Sequence, residues 1–111
     1  MANHDWRIFQ LPQLFEGIER GELSFQEFLN SPSLSCAIYH LPAGSKDMQT
    51  PHDEDELYLV LEGHARLRIG DDEHRISKDT LMYVQASTDH AFFDIEEDLT
   101  VLAFFGSSVR C

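Results

Sequence analysis

The sequence predicts an all-β protein, built as an antiparallel sandwich or barrel. Two observations lead to this prediction. From residue 34 onward the chain contains short segments rich in β-branched and aromatic residues, at residues 34–41, 57–61, 65–69, 81–84, 91–95 and 99–105. Turn-forming stretches such as Gly70-Asp71-Asp72 separate these segments at near-regular intervals, with no helical pattern between them. Closely spaced strands joined by tight turns are typical of antiparallel sheets.

Individual segments also alternate as half-buried strands do. Ala65, Leu67 and Ile69 fall on one face of their segment, while Arg66 and Arg68 fall on the other. Residues 50–60 depart from this pattern, because their even positions begin with polar side chains and end with apolar ones. Ionisable groups that lead into a buried strand are costly unless they are paired or bound to metal. The polar residues of this strand are therefore candidates for a functional site.

The first 33 residues have a different pattern. Leu11, Leu14, Phe15 and Ile18 are spaced as on one face of a short helix. The segment holds more apolar side chains than a short arm can bury on itself. We therefore assign residues 1–33 to an N-terminal extension that packs on the barrel or on a dimer partner, and residues 34–111 to the barrel domain.

The charge of the chain limits its partners. Twenty Asp and Glu residues against eight Lys and Arg give a formal net charge of −12 in 111 residues. Proteins that bind nucleic acid or anionic membranes need clustered positive charge, so neither is expected as a partner. The two cysteines cannot form a disulfide framework. No signal-peptide pattern or apolar run of membrane-spanning length is present, and we expect a cytoplasmic protein.

Three side chains form the candidate site. His52 and Glu56 are four residues apart and share a strand face, and His90 opens another predicted strand. Two imidazoles and one carboxylate that converge would form a ligand set suited to Fe, Mn, Ni or Zn, with open positions for water or substrate. Tyr58 lies on the same face as His52 and Glu56. The alternative interpretation is that these are surface residues of an acidic loop.

Two sequence motifs resemble those of the cupin superfamily, in particular its small bacterial single-domain members. The first motif of that family, G(x)5HxH(x)3,4E(x)6G, is matched by Gly44-(x5)-Thr50-Pro51-His52-(x3)-Glu56-(x6)-Gly63. The second, G(x)5PxG(x)2H(x)3N, is similar in spacing to Asp79-(x5)-Gln85-x-Ser87-(x2)-His90-(x3)-Asp94. The resemblance implies a jelly-roll barrel, also called a double-stranded β-helix, and a metal held by His52, Glu56 and His90.

One ligand position of the family is altered. Thr50 stands where the family has its first histidine, and a hydroxyl is a weak metal ligand. Glu54, on the same strand face, could supply a compensating oxygen, as could Asp47 or Gln49 from the preceding loop; the alternative is that these three are solvated polar residues. Asp79 replaces a motif glycine, and we expect it to adopt the positive φ that Asp tolerates better than most residues.

The resemblance implies a metal-binding small cupin that acts on or binds a small organic molecule inside the barrel. If it is an enzyme, a metal-dependent oxygenase, isomerase or lyase is expected, with Glu56 and Tyr58 as candidate catalytic residues. The alternative is a non-catalytic ligand-binding or sensing module with a structural metal or a vestigial site. Small cupins are commonly dimers, and an antiparallel barrel leaves an edge that a second copy can cover, so we also expect a homodimer.

Overall fold

The computed structural model of the protein describes residues 6–47 and 53–106. It contains one short helix and eight strands: α1 (Leu11–Glu16), β1 (Ser24–Asn30), β2 (Leu34–Leu41), β3 (Asp55–Glu62), β4 (His64–Ile69), β5 (Asp72–Ser77), β6 (Leu81–Val84), β7 (His90–Phe93) and β8 (Leu99–Gly106). The strands form a five-stranded sheet in the order β1-β2-β8-β3-β6 and a three-stranded sheet in the order β5-β4-β7. All strand pairs are antiparallel, which confirms the predicted fold class.

The inner faces of the two sheets enclose the main apolar core. Alternate residues of each strand point inward, as the period of a strand requires. Ala65 and Leu67 of β4 and Phe92 of β7 meet Val101 and Ala103 of β8 in this core, and each is at most 4% exposed. Side chains between these positions point outward, so the two sheets pack as the sandwich-like barrel that the alternation predicts.

The N-terminal segment covers part of the outer face of the five-stranded sheet. Ile18, just after α1, packs on Ile38 of β2 and Leu102 of β8, with Phe15 and Phe28 against the same small cluster. The chain then enters the five-stranded sheet as its edge strand β1. The sheet therefore includes residues 24–30 of the segment that the sequence assigns to the N-terminal extension.

Within residues 6–47 and 53–106, three residues other than glycine adopt positive φ, and all three occupy positions of the second motif. Asp79 has φ 73°, Ser87 has φ 63° and Asp94 has φ 48°. The expectation for Asp79 is confirmed. The family motif has glycine at the first two positions and asparagine at the third, residues that enter this region with little strain. The turns around His90 thus adopt positive φ without glycine or asparagine at these positions.

Gly63 separates β3 from β4 and has φ 88°. A Cβ atom at this position would lie 2.1 Å from the carbonyl oxygen of Asp98. Only glycine allows the loop before β8 to pass so close to this turn. Among the described residues, no helix is long and apolar enough to cross a membrane.

Candidate functional site

Glu56, Tyr58 and His90 form a buried polar cluster on the inner side of the fold, which we call the inner cluster. Glu56 and Tyr58 lie on the inward face of β3, in the five-stranded sheet, and His90 begins β7 in the three-stranded sheet. His90 Nε2 is 2.8 Å from Glu56 Oε2. The Tyr58 hydroxyl lies 2.9 Å from the same carboxylate oxygen and 3.0 Å from His90 Nε2. Glu56 and His90, the two predicted metal ligands that the structure describes, therefore converge.

The inner cluster is screened from solvent. Only 2% of the side-chain surface of Glu56 and of His90 is exposed, and Tyr58 is fully buried. Buried groups of this kind need partners, because an unpaired charge in the interior is strongly destabilising. Here His90 Nε2, the Tyr58 hydroxyl and Oε2 of Glu56 lie within hydrogen-bond distance of one another.

A backbone carbonyl fixes the ring of His90. Its Nδ1 lies 2.8 Å from the carbonyl oxygen of Thr88, which can only accept a hydrogen bond, so Nδ1 carries a proton. Nε2 is then the nitrogen that faces the cluster, either with a second proton or with a free lone pair. Carbonyls commonly orient metal-binding histidines in this way. Sequence reasoning missed Thr88, because a backbone contact leaves no signal in the residue type.

Burial and hydrogen bonding act in opposite directions on His90. Burial alone lowers the pKa of its imidazole, but the hydrogen bonds to Glu56 and Thr88 and the charges of Glu56 and Asp47 outweigh it, so the pKa is raised. Burial is also the main cause that raises the pKa of Tyr58, followed by the charge of Glu56. Tyr58 is therefore a neutral hydrogen-bond donor at physiological pH.

Asp47 lies beside the inner cluster and closes the edge of β7. The Tyr39 hydroxyl donates a hydrogen bond to Asp47 Oδ1 over 2.5 Å, and the backbone N–H of Phe92 donates to Oδ2 over 2.9 Å. Oδ1 thus ties the loop after β2 to the five-stranded sheet, and Oδ2 ties it to the three-stranded sheet. This position gives Asp47 a role in holding the loop, in addition to the ligand role considered from the sequence.

The remaining predicted site residues are separated from the inner cluster or lie outside the described residues. His52, Thr50 and Gln49 fall between residues 47 and 53, where the structure gives no description. Glu54 is half-buried and lines a small cavity of about 100 Å³ near Phe105. Asp94 is exposed, and one of its carboxylate oxygens lies 3.9 Å from Arg66 Nε.

The inner cluster fits two positions of a metal site. Histidine nitrogens and carboxylate oxygens bind divalent ions at about 2.0–2.2 Å, which places neighbouring ligand atoms about 3 Å apart. The 2.8 Å between His90 Nε2 and Glu56 Oε2 is close to that separation. Within residues 6–47 and 53–106, no group of three His, Cys, Asp or Glu side chains converges as a metal site. A third ligand would have to come from elsewhere, and His52 is the predicted one.

A second buried polar cluster, on the outer face of the five-stranded sheet, was not predicted; we call it the outer cluster. His40 and Thr100 are fully buried, and His40 Nδ1 lies 2.8 Å from Thr100 Oγ1. Thr100 Oγ1 donates to Glu62 Oε2 over 2.5 Å, and Glu62 pairs with Arg20 of the N-terminal segment. The outer cluster thus ties that segment to the sheet.

Comparison with known proteins identifies the family. A model of the cupin domain matches residues 37–105. The chain belongs to the cupin family. It is 33% identical over 99 residues to the uncharacterized protein SCO3923 of Streptomyces coelicolor, covering 89% of this chain and 94% of that protein.

Solved structures share the cupin fold at low sequence identity. The conserved SPY1581 protein of unknown function from Streptococcus pyogenes matches with a TM-score of 0.76 at 18% identity, covering 98% of this chain and 93% of that one. An RmlC-like cupin family protein with a double-stranded β-helix fold from Methanocaldococcus jannaschii has a TM-score of 0.74 at 12% identity, covering 94% and 93%. Cupins often bind metal, and Glu56 and His90 occupy the positions that the motifs associate with ligands.

Proposed function

We propose that this cupin binds a divalent metal ion through His52, Glu56 and His90, and that it binds or transforms a small organic molecule inside the barrel. The observation that supports the proposal most is the 2.8 Å approach of His90 Nε2 to Glu56 Oε2 across the two facing sheets. These residues are 34 positions apart in the sequence, and both are buried. A carboxylate and an imidazole brought together from different sheets are a donor pair suited to Fe, Mn, Ni or Zn.

Each residue has a distinct role in the proposed site. Glu56 supplies the anionic ligand, and its burial makes a bound cation its natural counter-charge. The Thr88 carbonyl holds the His90 ring so that Nε2 faces the centre. Tyr58 stays protonated and can donate a hydrogen bond to an oxygen of a bound molecule. When bound, a divalent ion would supply Lewis-acid or oxygen-activating chemistry, consistent with an oxygenase, isomerase or lyase.

Metal content tests this proposal directly. The wild type, His52→Ala and His90→Ala are reconstituted separately with Fe(II), Mn(II), Ni(II) and Zn(II), desalted and analysed for metal. His74, exposed on β5, provides the matched control His74→Ala. We expect about one ion per chain in the wild type and the control and far less in both site variants. A wild type that retains no stoichiometric metal with any of the four ions would refute the proposal.

A second candidate function is a non-catalytic ligand-binding or sensing module whose metal site is structural or vestigial. The position of Tyr58 favours it, because its hydroxyl already lies within hydrogen-bond distance of both Glu56 and His90. Thr50 in place of the first motif histidine favours it as well. Tyr58→Phe distinguishes a site that holds metal from a vestigial one. In a metal site this variant keeps its metal, whereas in a vestigial site it mainly loses stability.

The expected homodimer stays a prediction. Leu81 and Tyr83 of the edge strand β6 are both 61% exposed, and Leu57 of β3 lies opposite Tyr83 and is 37% exposed. A second copy could cover this edge and its apolar side chains. Light scattering coupled to size-exclusion chromatography measures the mass. A monomer mass that does not change with concentration would contradict the prediction.

A further inference from the structure

An open cavity of about 830 Å³ lies against the outside of the three-stranded sheet. Its floor consists of outward residues of β4, β5 and β7, and its walls are the loop at residues 44–47 and the segment at residues 94–96. Glu56, Tyr58 and His90 are not among its lining residues. The cavity is therefore a separate feature from the proposed metal site.

Positive side chains converge in this cavity although the chain is strongly acidic. Arg66, Arg75 and Lys46 line it, which is three of the eight Lys and Arg residues of the chain. Arg66 and Arg75 are directly opposite each other on β4 and β5. Like charges at opposite positions of a strand pair destabilise it. An arrangement of this kind is favourable when an anion lies between the two guanidinium groups.

The acidic side chains around the cavity already have partners. Both oxygens of Asp47 accept hydrogen bonds from Tyr39 and Phe92. A carboxylate oxygen of Glu96 lies 3.5 Å from His64 Nδ1, and one of Asp94 lies 3.9 Å from Arg66 Nε.

Among the three cations, only Arg66 has a carboxylate partner within residues 6–47 and 53–106. Across residues 6–47 and 53–106, Arg75 and Lys46 have no carboxylate within ion-pair distance. Arg66 has only distant partners, since Glu73 Oε1 is 4.0 Å from its Nη1 and Asp94 is 3.9 Å from its Nε. The lining thus has three cations and three carboxylates, but Arg75 and Lys46 keep donors that no carboxylate of the described residues pairs with.

The floor also has an apolar part next to the cations. Phe93 lies opposite Arg66 on β7, and Ala91 is two residues earlier on the same outward face. Both are half-buried. A second cavity of about 230 Å³ is also lined by Arg66 and Arg75, so the two guanidinium groups border both depressions.

We propose that this cavity binds a small organic anion, in which a carboxylate or phosphate group is attached to an apolar body. Arg66 and Arg75 would bind the oxyanion through paired N–H donors, the arrangement in which arginine exceeds lysine. Lys46 adds positive charge from the opposing loop, and Phe93 contacts the apolar body. The net charge of −12 repels anions at long range, so binding depends on these local contacts and favours small ligands.

Titration with simple probes tests the proposed anion site. Phenyl phosphate, benzoate and neutral phenol are added to the full-length protein at constant ionic strength, and amide chemical shifts are followed by NMR. We expect saturable binding of at least one of the two anions, with shifts centred on residues 91–96, and no binding of phenol. The anion that binds more tightly distinguishes a phosphate-bearing ligand from a carboxylate-bearing one.

Variants locate the binding. We expect Arg75→Gln and Lys46→Gln to weaken binding, the former about tenfold or more. Arg68→Gln is the matched control, because Arg68 lies on the same face of β4 but is bonded to Asp89 over 3.0 Å and does not line the cavity. Its affinity should change less than about twofold. His90→Ala, titrated once its NMR spectrum shows that it is folded, should bind normally, which separates this test from that of the metal site.

Three results would overturn the proposal. The first is no saturable binding of either anion. The second is an equal loss of affinity in Arg68→Gln and Arg75→Gln, which would mean non-specific attraction. The third is binding that is abolished by His90→Ala and unaffected by Arg75→Gln, which would place the anion inside the barrel.

Discussion

The inner and outer clusters lie on opposite faces of the five-stranded sheet, and each combines an imidazole, a hydroxyl and a carboxylate. The inner one combines His90, Tyr58 and Glu56, and the outer one combines His40, Thr100 and Glu62. In the inner cluster the three groups form a closed triangle with sides of 2.8, 2.9 and 3.0 Å. In the outer cluster they form a chain, in which Thr100 separates the histidine from the carboxylate.

This difference in connection gives the two histidines opposite properties. The pKa of His90 is raised, because its contacts with the Glu56 carboxylate and the Thr88 carbonyl outweigh burial. The pKa of His40 is lowered, chiefly by burial and then by the charge of Arg20, which outweigh the charges of Asp98 and Glu62. Direct contact with a carboxylate thus decides whether a buried imidazole accepts a proton readily.

The largest effect is expected from Glu56→Ala. The substitution leaves His90 and Tyr58 buried without their shared acceptor, and removal of one member of a buried pair costs about 3–5 kcal/mol. Urea denaturation measures the loss, with the exposed Glu73→Ala as a control that should stay near wild type. A loss below about 1 kcal/mol would show that the inner cluster is not an interdependent unit.

Thr100→Val should have the next largest effect. It keeps the shape of the side chain but removes the hydroxyl between His40 and Glu62, and unsatisfied buried groups of this kind cost about 1–3 kcal/mol. A double-mutant cycle with Glu62→Gln measures the coupling. Strictly additive losses would mean that the chain of hydrogen bonds does not act as a unit.

The pH dependence of stability distinguishes the two histidines further. Because the pKa of His40 is lowered from its ordinary value of 6.5 in the folded protein, the unfolded chain takes up the proton first as the pH falls. His40 therefore makes stability decrease as the pH drops below about 6.5. In urea titrations at several pH values, His40→Gln should show a smaller decrease than the wild type. If stability decreased equally with falling pH in His40→Gln and the wild type, the lowered pKa of His40 would be contradicted.

The smallest effect is expected at the exposed end of the outer cluster. Arg20 and Glu62 form an ion pair whose side chains are 50% and 32% exposed, and exposed pairs contribute at most about 1 kcal/mol. Arg20→Ala should therefore lower stability slightly, and the difference should shrink in high salt. A salt-independent loss above about 2 kcal/mol would show that Arg20 holds the N-terminal segment by more than charge.

Alternation predicts the regular strands from the sequence but misses two irregular ones. β1 contains a bulge between Glu27 and Leu29, where the register against β2 shifts, so its apolar residues lose the period of two. β5 is an edge strand with a single buried residue, Ile76. Its sequence is mostly charged and resembles that of a turn.

The inner cluster is predictable because its residues lie within motifs. The outer cluster joins His40 to Thr100 across 60 residues, with no motif between them. The sequence feature that could have indicated this cluster is His40 itself, which lies in the apolar segment 36–41. The structure shows that these residues of β2 are buried on both faces.

The three positive φ values around His90 bear on searches for relatives of this protein, because they lie at motif positions where its residues differ from the motif. Asp79, Ser87 and Asp94 keep a left-handed backbone where the family motif has glycine or asparagine. A search for the exact letters of the motif rejects this chain, although a model of the whole cupin domain matches residues 37–105. In these turns Asp and Ser follow a left-handed main-chain path, so the letters of the motif are not needed for that path.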